Sequence, residues 1–155
     1  RIRIGLYKDL NDEITKMTDE INWKYGTDDW HPVVLLRRNL TYPEVLVFYR
    51  MANMCIVSSL HDGMNLVAKE FVSSRNDEDG VLVLSKFTGA VREFEDNAVV
   101  INPYDAESFA DSIYAAVNMP EAQRREKMQK MRAVVSENNI YKWGANFISE
   151  LAKLA

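Results

Sequence analysis

Cysteine occurs once in these 155 residues, at Cys55, inside the apolar run Met54-Cys55-Ile56-Val57. A disulfide and a cysteine-based metal centre are thereby excluded, and a reducing compartment is the expected setting. No apolar run reaches the length of about 18 residues that a membrane crossing requires. The opening Arg1-Ile2-Arg3-Ile4 lacks the organisation of a signal peptide. Long basic runs are missing as well, and a formal charge of −4 argues against nucleic acid as a partner. No internal repeat or low-complexity segment interrupts the chain. These absences lead to the expectation of a soluble, cytoplasmic protein with neither membrane nor nucleic acid as partner. What is present is a 47% hydrophobic composition and length enough for one globular domain with a buried core.

The hydrophobic pattern alternates between two periods. Arg1 to Ile4 reads as an edge strand, and Leu10, Ile14, Met17 and Ile21 then recur at helical spacing up to Tyr25-Gly26. After a loop ending in His31-Pro32 comes Val33-Val34-Leu35-Leu36, a continuous apolar run of the kind expected in a strand covered on both faces. A helix is expected over 43–53, a strand over 55–57, a helix from Met64 to about Ser74, and a solvated, mobile loop over 75–80. A strand over 81–84, a short helix ending at Glu95 and a strand over 98–101 follow. Asp105 is placed to cap a helix reaching Asn118, Pro120 opens another in its first turn, and 141–154 reads as the last. Strands alternating with helices predict an α/β fold: a Rossmann-like parallel sheet with helices on both faces.

In such a sheet a ligand lies beyond the carboxyl ends of the strands. The richest loop there is Ser58-Ser59-Leu60-His61-Asp62-Gly63, which leads into the helix at Met64. A helix N-terminus at a strand end offers unpaired N–H groups and a positive dipole end, a setting for phosphate. Gly63 removes the Cβ that would hold a ligand away, so the amides from Gly63 to Val67 could converge on oxygen atoms. Ionised Asp62 only accepts hydrogen bonds, which suits sugar hydroxyls. Glu70 lies eight residues on, about 12 Å along a helix. Phosphate donors with flanking carboxylates suggest a nucleotide-sugar site. Ser58, Ser59 and Ser85 have no base at motif spacing, which argues against a serine nucleophile. Lys86 is a weaker phosphate candidate, and His31 and His61 read as structural or site-lining residues.

The run Asp62-Gly63-Met64-Asn65-Leu66-Val67-Ala68-Lys69-Glu70-Phe71-Val72 closely resembles the donor-binding motif of trehalose-6-phosphate synthases and their relatives, retaining glycosyltransferases of the GT-B fold with two Rossmann-like domains. The match continues in Ile21 to Gly26 with Trp30 and Pro32, in Gly80 to Ser85 with Phe87, Gly89 and Ala90, in Asn102-Pro103-Tyr104-Asp105, and in Asn138-Asn139 with Trp143 and Phe147. It covers nearly the whole chain. The resemblance implies that residues 1–155 form the carboxyl-terminal donor-binding domain, with closing helices over 120–155.

The resemblance also implies roles. Asp62 would hold a hydroxyl of the transferred glucose, with the amides of Gly63, Met64 and Asn65 against the sugar. Leu66 and Val67 would offer N–H groups to the distal phosphate, Glu70 would accept the ribose hydroxyls, and main chain at Asn39, Leu40 and Thr41 would meet the base. UDP-glucose is the expected donor and a sugar phosphate the acceptor, with no metal and no cofactor. The Arg and Lys that neutralise the departing diphosphate, and the amino-terminal acceptor domain, are expected outside this chain. The chain alone is therefore expected to hold no catalytic residue and to be inactive. A non-catalytic nucleotide-sugar-binding regulatory module is the alternative. A receiver domain is rejected, because Gly5-Leu6-Tyr7-Lys8 stands where its acidic pair would be. The apolar stripe Trp143, Phe147, Ile148, Leu151 and Leu154 leads to the expectation of self-association through the last helix.

Overall fold

The computed structural model describes the backbone of residues 2–153 and the side chains of residues 5 and 8–153. In chain order the elements are α1 (Ile2–Tyr25), α2 (Tyr42–Met51), β1 (Met54–Val57), α3 (Leu66–Ser74), β2 (Val81–Ser85), α4 (Val91–Phe94), β3 (Val99–Ile101), α5 (Ala106–Val117), α6 (Glu121–Glu137) and α7 (Ile140–Ala152). The chain falls into two compact units that divide between Leu40 and Thr41.

The first unit corrects two expectations. Residues 2–4 belong to α1 rather than to an edge strand. Two alternating apolar residues are too short a signal against the helical pattern that follows, and no ladder partner stands opposite them among the described residues. Helix α1 stops at Gly26, whose N–H donates to the Asn22 carbonyl at 2.8 Å. A Cβ on Gly26 would lie 2.4 Å from that oxygen, so a glycine is required there. The run 33–36 is irregular chain, not a strand. Its one strand-like pairing is made by a side chain: Asn22 Nδ2 donates to the Val33 carbonyl and Asn22 Oδ1 accepts the Val33 N–H, both at 2.9 Å. Without a ladder the apolar run is left in contact with water, and Val34 is 73% exposed.

The second unit is a three-stranded parallel sheet in the order β1-β2-β3. Central β2 is buried along its whole length, which is why Val81-Leu82-Val83-Leu84 is apolar without interruption. Successive side chains point to opposite faces. Leu82 and Leu84 meet Phe71 and Val72 of α3, Phe94 of α4, and Met128 and Met131 of α6. Val81 and Val83 meet Ile101 and, from α5, Phe109 and Ala116. Helices thus cover both faces, as the alternating pattern predicts. Burial of each large side chain such as Phe71 stabilises the fold by roughly 1.5–3 kcal/mol. Burial also pushes the Cys55 thiol up to about 11, so it stays protonated.

Local boundaries follow their caps. Asp105 caps α5 by accepting the Ser108 N–H at 3.1 Å, as expected. Pro120 stands at the cap of α6, one position before its first turn. The loop over 75–80, expected to be solvated and mobile, is instead anchored by a buried Arg75. Its guanidinium donates to the carbonyls of Tyr49, Arg50 and Ala52 at the end of α2, to the Asp79 carbonyl, and to the Asp77 carboxylate. A cation on the last carbonyls of a helix is favoured by the helix dipole. Asp79 in turn takes a two-pronged bond from Arg124 of α6 at 2.8 and 3.0 Å.

Candidate functional site

The loop leaving β1 is pinned to the loop leaving β2. The Asp62 N–H donates to the Phe87 carbonyl at 3.2 Å, and the Asp62 carbonyl accepts the Gly89 N–H at 2.9 Å. Asp62 and Thr88 thereby form an isolated parallel bridge. The second loop is firm in its own right, because Ser85 and Thr88 are buried and the Thr88 hydroxyl and N–H both donate to the Ser85 carbonyl. Two strand ends are thus tied together at Asp62.

The Asp62 carboxylate closes a compact turn. Oδ1 accepts the N–H groups of Met64 at 3.1 Å and Asn65 at 2.9 Å, while Oδ2 accepts from Asn65 Nδ2 at 3.0 Å. These bonds, the Met64 amide foremost, hold the carboxyl below its usual range, with His61 adding a smaller electrostatic pull. Asp62 is therefore an anion that only accepts hydrogen bonds at neutral pH. Helix α3 begins at Leu66, two residues later than the sequence pattern places it. The reason is Asn65, which takes a left-handed backbone at φ 63° and caps the helix by accepting the Ala68 N–H on Oδ1. The amides of Met64 and Asn65, expected to face a ligand, point at Asp62 in this structure. Leu66 and Val67 remain as the first-turn donors that neither Asp62 nor Asn65 engages. Beside Gly63 the space is open, with nothing within 4 Å of a Cβ position.

Glu70 lies one turn into α3, half-buried, and lines a cleft of about 500 Å³ between α2 and α3 with Tyr42, Leu46, Arg50 and Leu66. The Tyr49 hydroxyl donates to Glu70 Oε2 at 3.3 Å. Burial first, and then the Glu70 charge, push the Tyr49 phenol up to about 12, so it stays a donor. A second cleft of about 510 Å³ borders the other side of the turn, lined by Gly63, Met64, Gly89, Glu93, Asn138 and Trp143. There Lys69 Nζ pairs with Glu93 Oε1 at 2.5 Å, and Asn138 Nδ2 donates to Glu93 Oε2 at 3.1 Å. Lys86 is exposed and sits over the Phe87 ring.

The expected base-contacting residues are distributed over both units. Asn39 and Leu40 end the first unit. Thr41 starts the second, where its N–H and hydroxyl donate to Glu44 at 2.8 Å and its carbonyl accepts the Val45 N–H. Sequence reasoning missed Tyr49, Glu93 and the Gly89 approach, because each is brought to the motif by packing rather than by local pattern. The Asn65 cap did have a signal: an Asn directly before an apolar helical run. Along α7 the side chains of Trp143, Phe147, Ile148 and Leu151 are exposed, and Leu154 lies outside the described residues. No described helix is long and apolar enough to cross a membrane.

The model for glycosyltransferase family 20 matches residues 1–153. The trehalose-6-phosphate synthase of Mycobacterium leprae is 40% identical over 154 residues, which is 99% of this chain and 30% of that relative. A solved alpha,alpha-trehalose 6-phosphate synthase from Burkholderia multivorans superposes with a TM-score of 0.90 at 34% identity, over 99% of this chain and 33% of that one. A solved structure described as trehalose-6-phosphate from E. coli bound with UDP-2-fluoro glucose superposes with a TM-score of 0.88 at 35% identity, over 94% of this chain and 32% of that one. The chain spans about 30% of the length of the curated relatives it matches. Its α/β fold is a Rossmann-like half of a GT-B fold. With the family match running through residues 1–153 and the parallel sheet reproduced, the chain belongs to glycosyltransferase family 20.

Proposed function

We propose that this chain is the donor-binding domain of a retaining glucosyltransferase that moves glucose from a nucleoside diphosphate glucose, UDP-glucose in the first instance, to a sugar phosphate. The observation that carries the reading is the Asp62 turn. A carboxylate kept ionised at a strand end stands directly before two unengaged helix N-terminal amides, Leu66 and Val67. Such an array offers acceptors to a sugar and donors to a phosphate. The superposition on a structure described as bound with UDP-2-fluoro glucose supports the same ligand class.

On this reading Asp62 accepts a glucose hydroxyl, Gly63 lets the sugar approach, and Met64 and Asn65 act mainly through the carboxylate that they hold. Leu66 and Val67 donate to the distal phosphate. Glu70, in its cleft beside Tyr49, accepts the ribose hydroxyls. Main chain at Asn39, Leu40 and Thr41 meets the base, a role that rests on the resemblance alone. The domain needs no metal to hold this donor.

The chain by itself binds the donor without turning it over. A departing nucleoside diphosphate carries about three negative charges, and the half-charge of a helix terminus is a small fraction of what stabilises it. Lys69, the cation within the motif, is already paired with Glu93. Calorimetric titration with UDP-glucose and UDP tests the reading on the wild type, Asp62→Ala and Glu70→Gln. Glu70→Gln should weaken both ligands alike, by about 1–3 kcal/mol for a charge-assisted bond. Asp62→Ala should weaken only UDP-glucose. Unchanged binding in both variants would refute the assignment.

A further inference from the structure

Asn65 differs from its neighbours in ways that capping alone does not require. It is 6% exposed, while Met64 and Leu66 on either side are each 57% exposed. Its backbone is left-handed at φ 63°, a conformation that Asn adopts more readily than most residues and Gly more readily still. Its Oδ1 caps α3 by accepting the Ala68 N–H, a task that Asp or Ser performs as well as Asn. Neither capping nor conformation therefore selects an amide. The feature that does is the other end of the side chain, where Nδ2 donates to Asp62 Oδ2 at 3.0 Å.

We propose that Asn65 is a positioning residue for the donor sugar: its amide ties the start of α3 to the Asp62 carboxylate and fixes the direction in which that carboxylate meets a sugar hydroxyl. This rests on the proposed reading of Asp62 as sugar-binding. A carboxylate has about four acceptor directions. Three are occupied here, two on Oδ1 by the Met64 and Asn65 N–H groups and one on Oδ2 by Asn65 Nδ2. One direction on Oδ2 is left for a ligand. Without the amide, the carboxylate keeps Oδ1 in place while Oδ2 loses the partner that defines its free lone pair.

The test uses Asn65→Gly, which keeps the left-handed backbone and is tolerated at a cap position with little loss of stability. Two readouts are taken: the titration of the Asp62 carboxyl carbon by NMR, and the affinities for UDP-glucose and for UDP. The expected result is an upward shift of the Asp62 titration and about tenfold weaker UDP-glucose binding with UDP unchanged. If Asn65 merely caps the helix, the Asp62 titration stays in place and both ligands weaken together or not at all, which overturns the inference. Asn65→Asp is the second variant, since it retains the cap and replaces the donor with a second anion. It should raise the Asp62 titration further and weaken UDP-glucose more than Asn65→Gly does. Asp62→Ala separates the two levels: if it leaves UDP-glucose binding unchanged, the donor reading fails and the sugar-positioning role falls with it. If Asp62→Ala weakens UDP-glucose while both Asn65 variants behave as wild type, the positioning role alone is overturned.

Discussion

A Cβ on Gly89 would lie 2.1 Å from the carbonyl oxygen of Gly63. The loops after β1 and β2 therefore meet backbone to backbone, and the Gly89 N–H closes the contact by donating to the Asp62 carbonyl at 2.9 Å. Gly89→Ala should force these loops apart, destabilising the fold by about 1–3 kcal/mol and weakening UDP-glucose binding. Gly63→Ala has open space for its methyl group and should leave stability within about 0.5 kcal/mol while still hindering the ligand. Denaturant unfolding of the two variants, read beside their titrations, checks the contrast.

Arg75 uses all three guanidinium nitrogens: Nη1 donates to carbonyls at the end of α2, Nε to the Asp79 carbonyl in its own loop, and Nη2 to the Asp77 carboxylate. A lysine has one ammonium on a longer, unbranched stem and does not reproduce that fork. Arg75→Lys should cost about 3 kcal/mol, because the buried carbonyls lose charge-assisted partners. Hydrogen exchange at the carboxyl end of α2 should quicken in the same variant. Unaltered exchange there would show that the guanidinium does not hold the helix end.

Asp79 gives the fold a pH dependence of definite sign. The Arg124 hydrogen bond, with the Gly80 N–H beside it, pulls the Asp79 carboxyl down to about 2. A carboxyl depressed in the folded state adds stability above its unfolded pKa, and that stability is lost as pH falls through the folded value. The contribution is thus complete above about pH 4 and gone near pH 2. Allowing for solvent screening of a partly exposed pair, it is worth roughly 1 kcal/mol. Thermal unfolding of wild type and Asp79→Asn should differ at pH 6 and converge as the acid range is entered. A constant difference across that range would contradict the assignment.

The aromatic rings of Trp143 and Phe147 stack 5.5 Å apart on α7 with Ile148 and Leu151 along the same helix, all exposed. Exposed apolar surface of this kind favours association. Sedimentation velocity should show mass rising with concentration, and Phe147→Lys should suppress the rise. A concentration-independent monomer would count against self-association through this helix.

Much of this site was legible in the order of residues, and the misses have physical causes. The apolar run at β1, the Asp62-Gly63 turn and the apolar helix behind it are local signals, and the structure keeps all three in sequence. The run 33–36 carries no signal that separates strand from irregular chain, because a continuous apolar stretch has no period and a strand exists only where another strand supplies its ladder. The polar composition of the loop over 75–80 hides the destination of Arg75, which buries its charge against carbonyls 23 to 26 residues away. Helix α3 starts two residues later than its apolar pattern indicates because the Asp62 side chain takes the amides of Met64 and Asn65 before the helix can use that turn. Tyr49, which donates to Glu70 from α2, had no local signal at all.

The central claim is that the turn from Asp62 to Val67 holds a nucleotide sugar. Amide-detected NMR titration of this chain with UDP-glucose addresses it residue by residue. The N–H signals of Gly63, Leu66 and Val67 should move saturably with added UDP-glucose, whereas UDP alone should move Leu66 and Val67 but not Gly63. Saturable shifts confined to other parts of the chain, with these three unmoved, would contradict it.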